Sequence, residues 1–288
     1  SNEMKIPSPS RGGTGWGWDF RMKQKITVPD ILSRKHDGRK ITMLTAYDYL
    51  FARLIDSAGI DIILVGDSLG TVIQGHHTTL PVTMDEMIYH TRLVSKGVEN
   101  ALVVGDMPFM SYQTSVSDAV YNAGRFLKEA GAEAVKVEGG TTAIDKIKAM
   151  IASGIPVMGH VGLLPQSVHQ MGGYKVQGKE DTSAERIMSD AIMLDDAGVF
   201  AVVVEGIPAG LATKITAAIS VPTIGIGAGI DCDGQVLVMH DLLGLTPQPV
   251  PKFVRQFAAL RGLCIDAVKR FKVDVENGKF PSDDESYH

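Results

Sequence analysis

The chain has 288 residues, 44% of them hydrophobic and 21% charged, which is enough apolar material for a large buried core and excludes a disordered or fibrous chain. Lys and Arg total 28 against 33 Asp and Glu, a net charge of −5 with no long basic tract, so neither nucleic acid nor an anionic membrane is expected as a main partner. The two cysteines, Cys232 and Cys264, are too few for a disulfide framework, and the longest apolar runs, such as Ile62-Ile63-Leu64-Val65, stop far short of the roughly 18 residues of a membrane span. A reducing, cytoplasmic setting is the expectation.

Residues 1–22, rich in Gly, Ser and Pro, read as a tag remnant and an N-terminal extension of poor order, which leaves 23–288 as the folded domain. From residue 40 onward, short β-branched runs alternate with longer helical stretches. The expected strands are Ile41–Tyr47, Asp61–Asp67, Ala101–Asp106, Glu133–Glu138, Pro156–His160, Phe200–Glu205, Pro222–Gly227 and Gln235–His240. Between them, Ser117–Ala130 carries Ala119, Ala123, Phe126, Leu127 and Ala130 on one helical face, with Ser117-Asp118 as capping residues and Gly131 as the exit. A last helix is expected near Lys252–Phe271. Eight such units fit a single-domain α/β fold of the TIM (β/α)₈ barrel type, with an open doubly wound sheet as the alternative.

Several of these strands end in an ionisable residue: Asp67, Asp106, Glu138, His160 and Glu205. Alternation along a strand groups Asp67 with Val65, Asp106 with Val104, Glu138 with Lys136, and Glu205 with Val203. In a barrel, groups on the inward set at the C-terminal rim converge on one pocket, where crowded carboxylates need a cation or substrate to balance them. Asp67 and Asp106 make a hard oxygen pair suited to Mg²⁺ that keeps some of its waters. Zinc is disfavoured, because the adjacent His76 and His77 point to opposite faces and no third ligand lies at a usual spacing. His90, His169 and His240 read as surface or packing residues. Gly225-Ile-Gly227-Ala-Gly229 reads as close backbone packing at the rim or a ligand approached by bare backbone, and Met171 to Lys179 as a lid or a plain surface loop.

The motifs Val65-Gly-Asp67-Ser68-Leu-Gly70, Thr78-Thr-Leu-Pro81-Val-Thr83, Gly105-Asp106-Met-Pro108-Phe109, Val135-Lys136-Val-Glu138-Gly-Gly140, Gly159-His160-Val-Gly162-Leu-Leu-Pro165-Gln166, Val204-Glu205-Gly-Ile-Pro208 and Gly227-Ala-Gly229 through Asp233-Gly-Gln235-Val-Leu-Val238 follow one another along the chain. In this order they resemble the signatures of the ketopantoate (3-methyl-2-oxobutanoate) hydroxymethyltransferase family, over about Val28 to Phe271. The resemblance implies a TIM barrel that moves a one-carbon unit from 5,10-methylenetetrahydrofolate to 3-methyl-2-oxobutanoate through a Mg²⁺-stabilised enolate, giving 2-dehydropantoate on the route to pantothenate. It also implies a homo-oligomer, commonly a decamer. By the same resemblance Asp67 and Asp106 hold the metal and Glu138 reaches it through water. Ser68 and Lys136 bind the substrate carboxylate, His160 contacts substrate or product, and Glu205 is the base. His77 departs from the pattern, standing where relatives often have Asp. Two other readings of these residues stay open. One is a Mg²⁺-dependent lyase or mutase acting on 2-oxo acids without folate; the other is a barrel that binds a small acid and does not catalyse.

Overall fold

Eight parallel strands pair in chain order and the eighth returns to the first, where Ile41 to Leu44 lie in register with Gly234 to Leu237. That last ladder closes the sheet and decides for the barrel over the open alternative. The structure, a computed structural model, describes residues 25–288, and the expectation of a poorly ordered lead over 1–22 lies outside the described residues. The strands are Ile41–Thr45 (β1), Ile62–Val65 (β2), Leu102–Asp106 (β3), Ala134–Glu138 (β4), Val157–Gly162 (β5), Ala201–Glu205 (β6), Thr223–Ile226 (β7) and Gly234–Leu237 (β8). All eight expected strands are present. The eighth is shorter than the sequence suggests, because the Met239 N–H donates to Thr45 Oγ1 at 3.1 Å and a short helix, Met239–Leu242, replaces its predicted end.

Alternation along the strands divides the apolar residues into two cores. Ile41, Met43, Ile62, Leu64, Leu102, Val104, Ala134, Met158, Ala201, Val203, Ile224 and Val236 fill the barrel interior. Their strand neighbours, among them Ile63, Val103, Val135, Val157, Val202 and Val204, pack outward against the surrounding helices. The helix Val116–Ala130 buries Ala119, Ala123, Phe126 and Ala130 in that outer layer. Its cap is Ser115, whose Oγ accepts from the Asp118 N–H at 3.0 Å, rather than Ser117, and it ends at the left-handed Gly131. Among the described residues, no helix is long and apolar enough to cross a membrane.

Two helices differ from expectation. Val28–Asp37, which the strand and helix count did not include, lies at the N-terminal mouth, with Ile31 fully buried in the inner core. Arg34 pairs with Asp61 at 2.6 Å and Lys35 with Asp233 at 2.9 Å, tying this helix to the starts of the strands. The last helix runs Leu260–Glu276, later than predicted, and buries none of its residues, so it does not cover the eighth unit.

Candidate active site

Above the apolar filling, the same inward set of the strands turns polar. Val104 is followed on that face by Asp106, Ala134 by Lys136 and then Glu138, Met158 by His160, and Val203 by Glu205. Register brings them together across the sheet, since Asp106 pairs with Lys136 and Glu138 with His160. The inward grouping therefore holds for these residues. It fails for Asp67, because Val65 packs in the outer core and β2 has already ended. Asp67 arrives instead through the turn Gly66-Asp67-Ser68 that opens the short helix Leu69–Val72, with its N–H donating to Asp106 Oδ2 at 3.1 Å. At the opposite side Gly162 adopts φ +97° where β5 passes β6, and a Cβ there would lie 2.2 Å from the Glu205 carbonyl oxygen, so only glycine fits.

The resulting cluster is buried except for Glu205, which is partly exposed. Lys136 Nζ donates to both Asp106 oxygens, at 2.8 and 2.9 Å, and stands 3.8 Å from Glu138 Oε1. His160 lies between two carboxylates, Nδ1 at 3.6 Å from Glu138 Oε1 and Nε2 at 3.2 Å from Glu205 Oε2. Neither approach is aligned as a hydrogen bond, which leaves both ring nitrogens and Glu138 Oε1 buried without a partner. Burial, reinforced by the Asp106 and Glu138 charges, raises the Asp67 carboxyl to about 8. Burial raises Asp106 as well, against the pull of Lys136. For Glu138 burial is outweighed by His160 and Lys136, which hold it below its ordinary value. Burial and Lys136 would depress His160, but Glu138 and Glu205 prevail and raise it to about 9. Lys136, despite burial, is held protonated by Asp106, Glu138 and Asp67. Four carboxyl groups thus face one ammonium and one imidazole, and the site is short of positive charge.

These side chains line one cavity of about 1090 Å³ together with Ser68. The Ser68 hydroxyl is hydrogen-bonded to the Tyr47 hydroxyl at 2.8 Å. All seven residues singled out from the sequence, Asp67, Ser68, Asp106, Lys136, Glu138, His160 and Glu205, meet there. Tyr174, Lys175 and Val176 of the predicted lid or surface loop form part of its wall, as does His77. In the glycine run, Gly227 lies under the Phe253 ring and Gly229 against Ala209, and both also line the cavity. His90 and His240 are packing residues. The former has a partner that the sequence did not reveal, the Tyr47 carbonyl at 2.6 Å from Nδ1, and the latter stacks near Tyr47 and Phe51.

Sequence reasoning missed the supporting residues Tyr47, Tyr112 and Gln166. Gln166 is buried behind the carboxylates, and its Nε2 donates to Asp67 Oδ2 at 3.1 Å and to the Met107 carbonyl at 2.9 Å. The one signal for it was its place four residues after the end of β5, beside Pro165 in a motif already noted.

The family model described as ketopantoate hydroxymethyltransferase matches residues 25–283. A protein of Pelobacter propionicus named 3-methyl-2-oxobutanoate hydroxymethyltransferase is 57% identical over 267 residues, covering 93% of this chain and 99% of its own. A protein of the same name from Geobacter sulfurreducens is 56% identical over 92% of this chain and 100% of its own. Among solved structures, a phosphonopyruvate hydrolase shares the fold with a TM-score of 0.61 at 14% identity over 91% of this chain and 92% of its own. A 2,3-dimethylmalate lyase does so with a TM-score of 0.56 at 15% identity over 90% and 91%.

Proposed function

The chain belongs to the ketopantoate hydroxymethyltransferase family and is an enzyme of that class, and from this premise we propose that it transfers a hydroxymethyl group from 5,10-methylenetetrahydrofolate to 3-methyl-2-oxobutanoate, giving 2-dehydropantoate for pantothenate synthesis. The observation that carries the reading is the convergence of Asp67, Asp106, Lys136, Glu138, His160 and Glu205 on a single cavity. Its volume of about 1090 Å³ far exceeds what a five-carbon acid fills, which supports a second, larger substrate beside it. The two free thiols, Cys232 and Cys264, accord with a cytoplasmic, reducing setting. The exposed apolar side chains of the last helix, such as Leu263, Val268 and Phe271, support self-association into the proposed homo-oligomer.

The residues fit Mg²⁺. The donors are hard oxygens, the cluster lacks positive charge, and Glu138 Oε1 is buried without a hydrogen-bond partner. Among the described residues, no group of three or more His, Cys, Asp or Glu is arranged to hold a metal unaided, so the ion would need further ligands from water and substrate. Asp67 and Asp106 would hold it, with Glu138 reaching it through water. When bound, the ion would act as a Lewis acid towards negative charge on the substrate's keto oxygen, an effect of several kcal/mol.

Lys136, fixed by Asp106, would meet the substrate carboxylate together with Ser68, whose hydroxyl Tyr47 orients. Glu205 would take the C3 proton, and His160 beside it would balance the carboxylate before the transfer. The C3 carbon would then bond to the methylene carbon of the folate as the bond from that carbon to one of its two nitrogens breaks. Water would displace the second nitrogen and leave the hydroxyl group, and the proton taken by Glu205 and the one lost by water would end on the two folate nitrogens. Folate carries the electronically hard step, and the protein supplies orientation and charge placement.

Purified protein assayed with the oxo acid, methylenetetrahydrofolate and Mg²⁺ should form 2-dehydropantoate only when all three are present, with loss in EDTA and recovery on excess Mg²⁺. Turnover of an oxo acid without the one-carbon donor would instead favour the lyase or mutase reading.

A further inference from the structure

We propose that Gln166 is a positioning residue for the divalent-ion site, holding the Asp67 and Glu138 carboxylates in the arrangement that receives the cation. The proposal rests on the reading of Asp67 and Asp106 as the metal-holding pair. Asp106, Glu138 and Glu205 are aimed by their strands, but Asp67 stands on a turn beyond β2 and the sheet does not fix its direction. Gln166 fills that role from behind. Its Nε2 donates to Asp67 Oδ2 at 3.1 Å and to the Met107 carbonyl at 2.9 Å, and its backbone N–H donates to Glu138 Oε2 at 3.0 Å.

The amide has only one satisfactory orientation. Its nitrogen faces Asp67 Oδ2 and the Met107 carbonyl, of which the carbonyl can only accept, while its Oε1 accepts from the Tyr112 hydroxyl at 2.8 Å and from Gln113 Nε2 at 3.2 Å. Turning the amide over would set its oxygen against the Met107 carbonyl and Asp67 Oδ2 in a buried place, at the cost of both contacts. The Glu138 carbonyl, 3.1 Å from the same hydroxyl, shares its single proton. One oxygen each of Asp67 and Glu138 is therefore occupied from the rear, and Glu138 Oε1, without any hydrogen-bond partner, is left for another ligand. Gln166 itself does not line the large cavity; it borders a separate one of about 260 Å³ on the far side of Glu138. It acts on the site only through the carboxylates it holds, as outer-shell partners of metal ligands do.

The test is Mn²⁺ binding to the metal-free enzyme without substrates, read from the electron paramagnetic resonance of the unbound ion, for wild type, Gln166→Met, Tyr112→Phe and Asp67→Asn. Gln166→Met keeps the side-chain length and removes the donor. It should weaken the Mn²⁺ Kd by about 10- to 100-fold, while kcat at saturating metal recovers most of the wild-type value. Tyr112→Phe, which removes only the anchor of Oε1, should weaken it in the same direction by less. A wild-type Kd in Gln166→Met, even with a lowered melting temperature, would mark Gln166 as merely structural and overturn the proposal. If that variant does not fold, a wild-type Kd in Tyr112→Phe does the same. Asp67→Asn separates the two layers: loss of Mn²⁺ binding there with none in the Gln166 and Tyr112 variants refutes the positioning role alone, whereas unchanged binding in Asp67→Asn refutes the metal assignment beneath it.

Discussion

His160 Nε2 stands 3.2 Å from Glu205 Oε2 at the top of adjacent strands, so the group assigned as base faces the cavity with an imidazole at its side. A base so placed should remove the C3 proton of the oxo acid even when no folate is present to consume the carbanion. In heavy water with Mg²⁺, wild type should exchange that proton, and Glu205→Gln should lose the exchange by about 10²–10⁴-fold, followed by proton NMR. Normal exchange in the variant would remove Glu205 from the role.

His160 also sets a pH dependence. Glu138 and Glu205 raise it to about 9 against burial and Lys136, so the folded protein keeps a proton that the unfolded chain releases near 6.5. The contribution to stability is complete below about 6.5 and disappears as pH rises through 9. Thermal unfolding of the metal-free enzyme should therefore lose stability between these limits, and His160→Gln should flatten the decline. A slope unaltered by the substitution would place the titration elsewhere.

Asp67 also keeps a proton in the folded protein, as a neutral carboxyl. Burial, then Asp106 and Glu138, raise its carboxyl to about 8, so in the metal-free enzyme at neutral pH it holds a proton that a bound cation must displace. Mg²⁺ binding should release about one proton at pH 7 and should tighten by about tenfold per pH unit on approach to 8. Calorimetry in two buffers of different ionisation enthalpy counts that proton, and Asp67→Asn should abolish the release. Equal heats in both buffers would count against a protonated Asp67.

How far the site could be read from the sequence follows from how each residue is aimed. Asp106, Lys136, Glu138, His160 and Glu205 lie at or near the ends of strands whose alternation is visible in the sequence, so their convergence is legible there. Asp67 reached the same place by a turn, against the parity assigned to it. Gln166 and Tyr112 left no such trace, because they are uncharged side chains in connections, where neither period nor spacing constrains direction. The eight βα units were legible from number and alternation, but their closure was not, and the ladder between β1 and β8 decided it over the open sheet. The unburied last helix was not legible either, since its apolar residues read like those of any helix that packs on a sheet.

The helix Val28–Asp37 escaped notice for a related reason: it is polar over most of its length and buries a single residue, Ile31, which is fully enclosed. That residue nonetheless belongs to the inner core with Ile41, Ile62, Leu102 and Ile224, at the mouth opposite the carboxylates. Without it the lowest layer of the barrel would face water, because the ion pairs Arg34 to Asp61 and Lys35 to Asp233 surround the opening but do not fill it. Ile31→Ala should therefore cost about 2–5 kcal/mol in urea unfolding, as a large-to-small change in a closed core does. The Mg²⁺ affinity should stay at the wild-type value, because Ile31 lies in the apolar filling and not in the cavity. A loss below about 0.5 kcal/mol, the range of surface substitutions, would show that the helix does not seal the barrel.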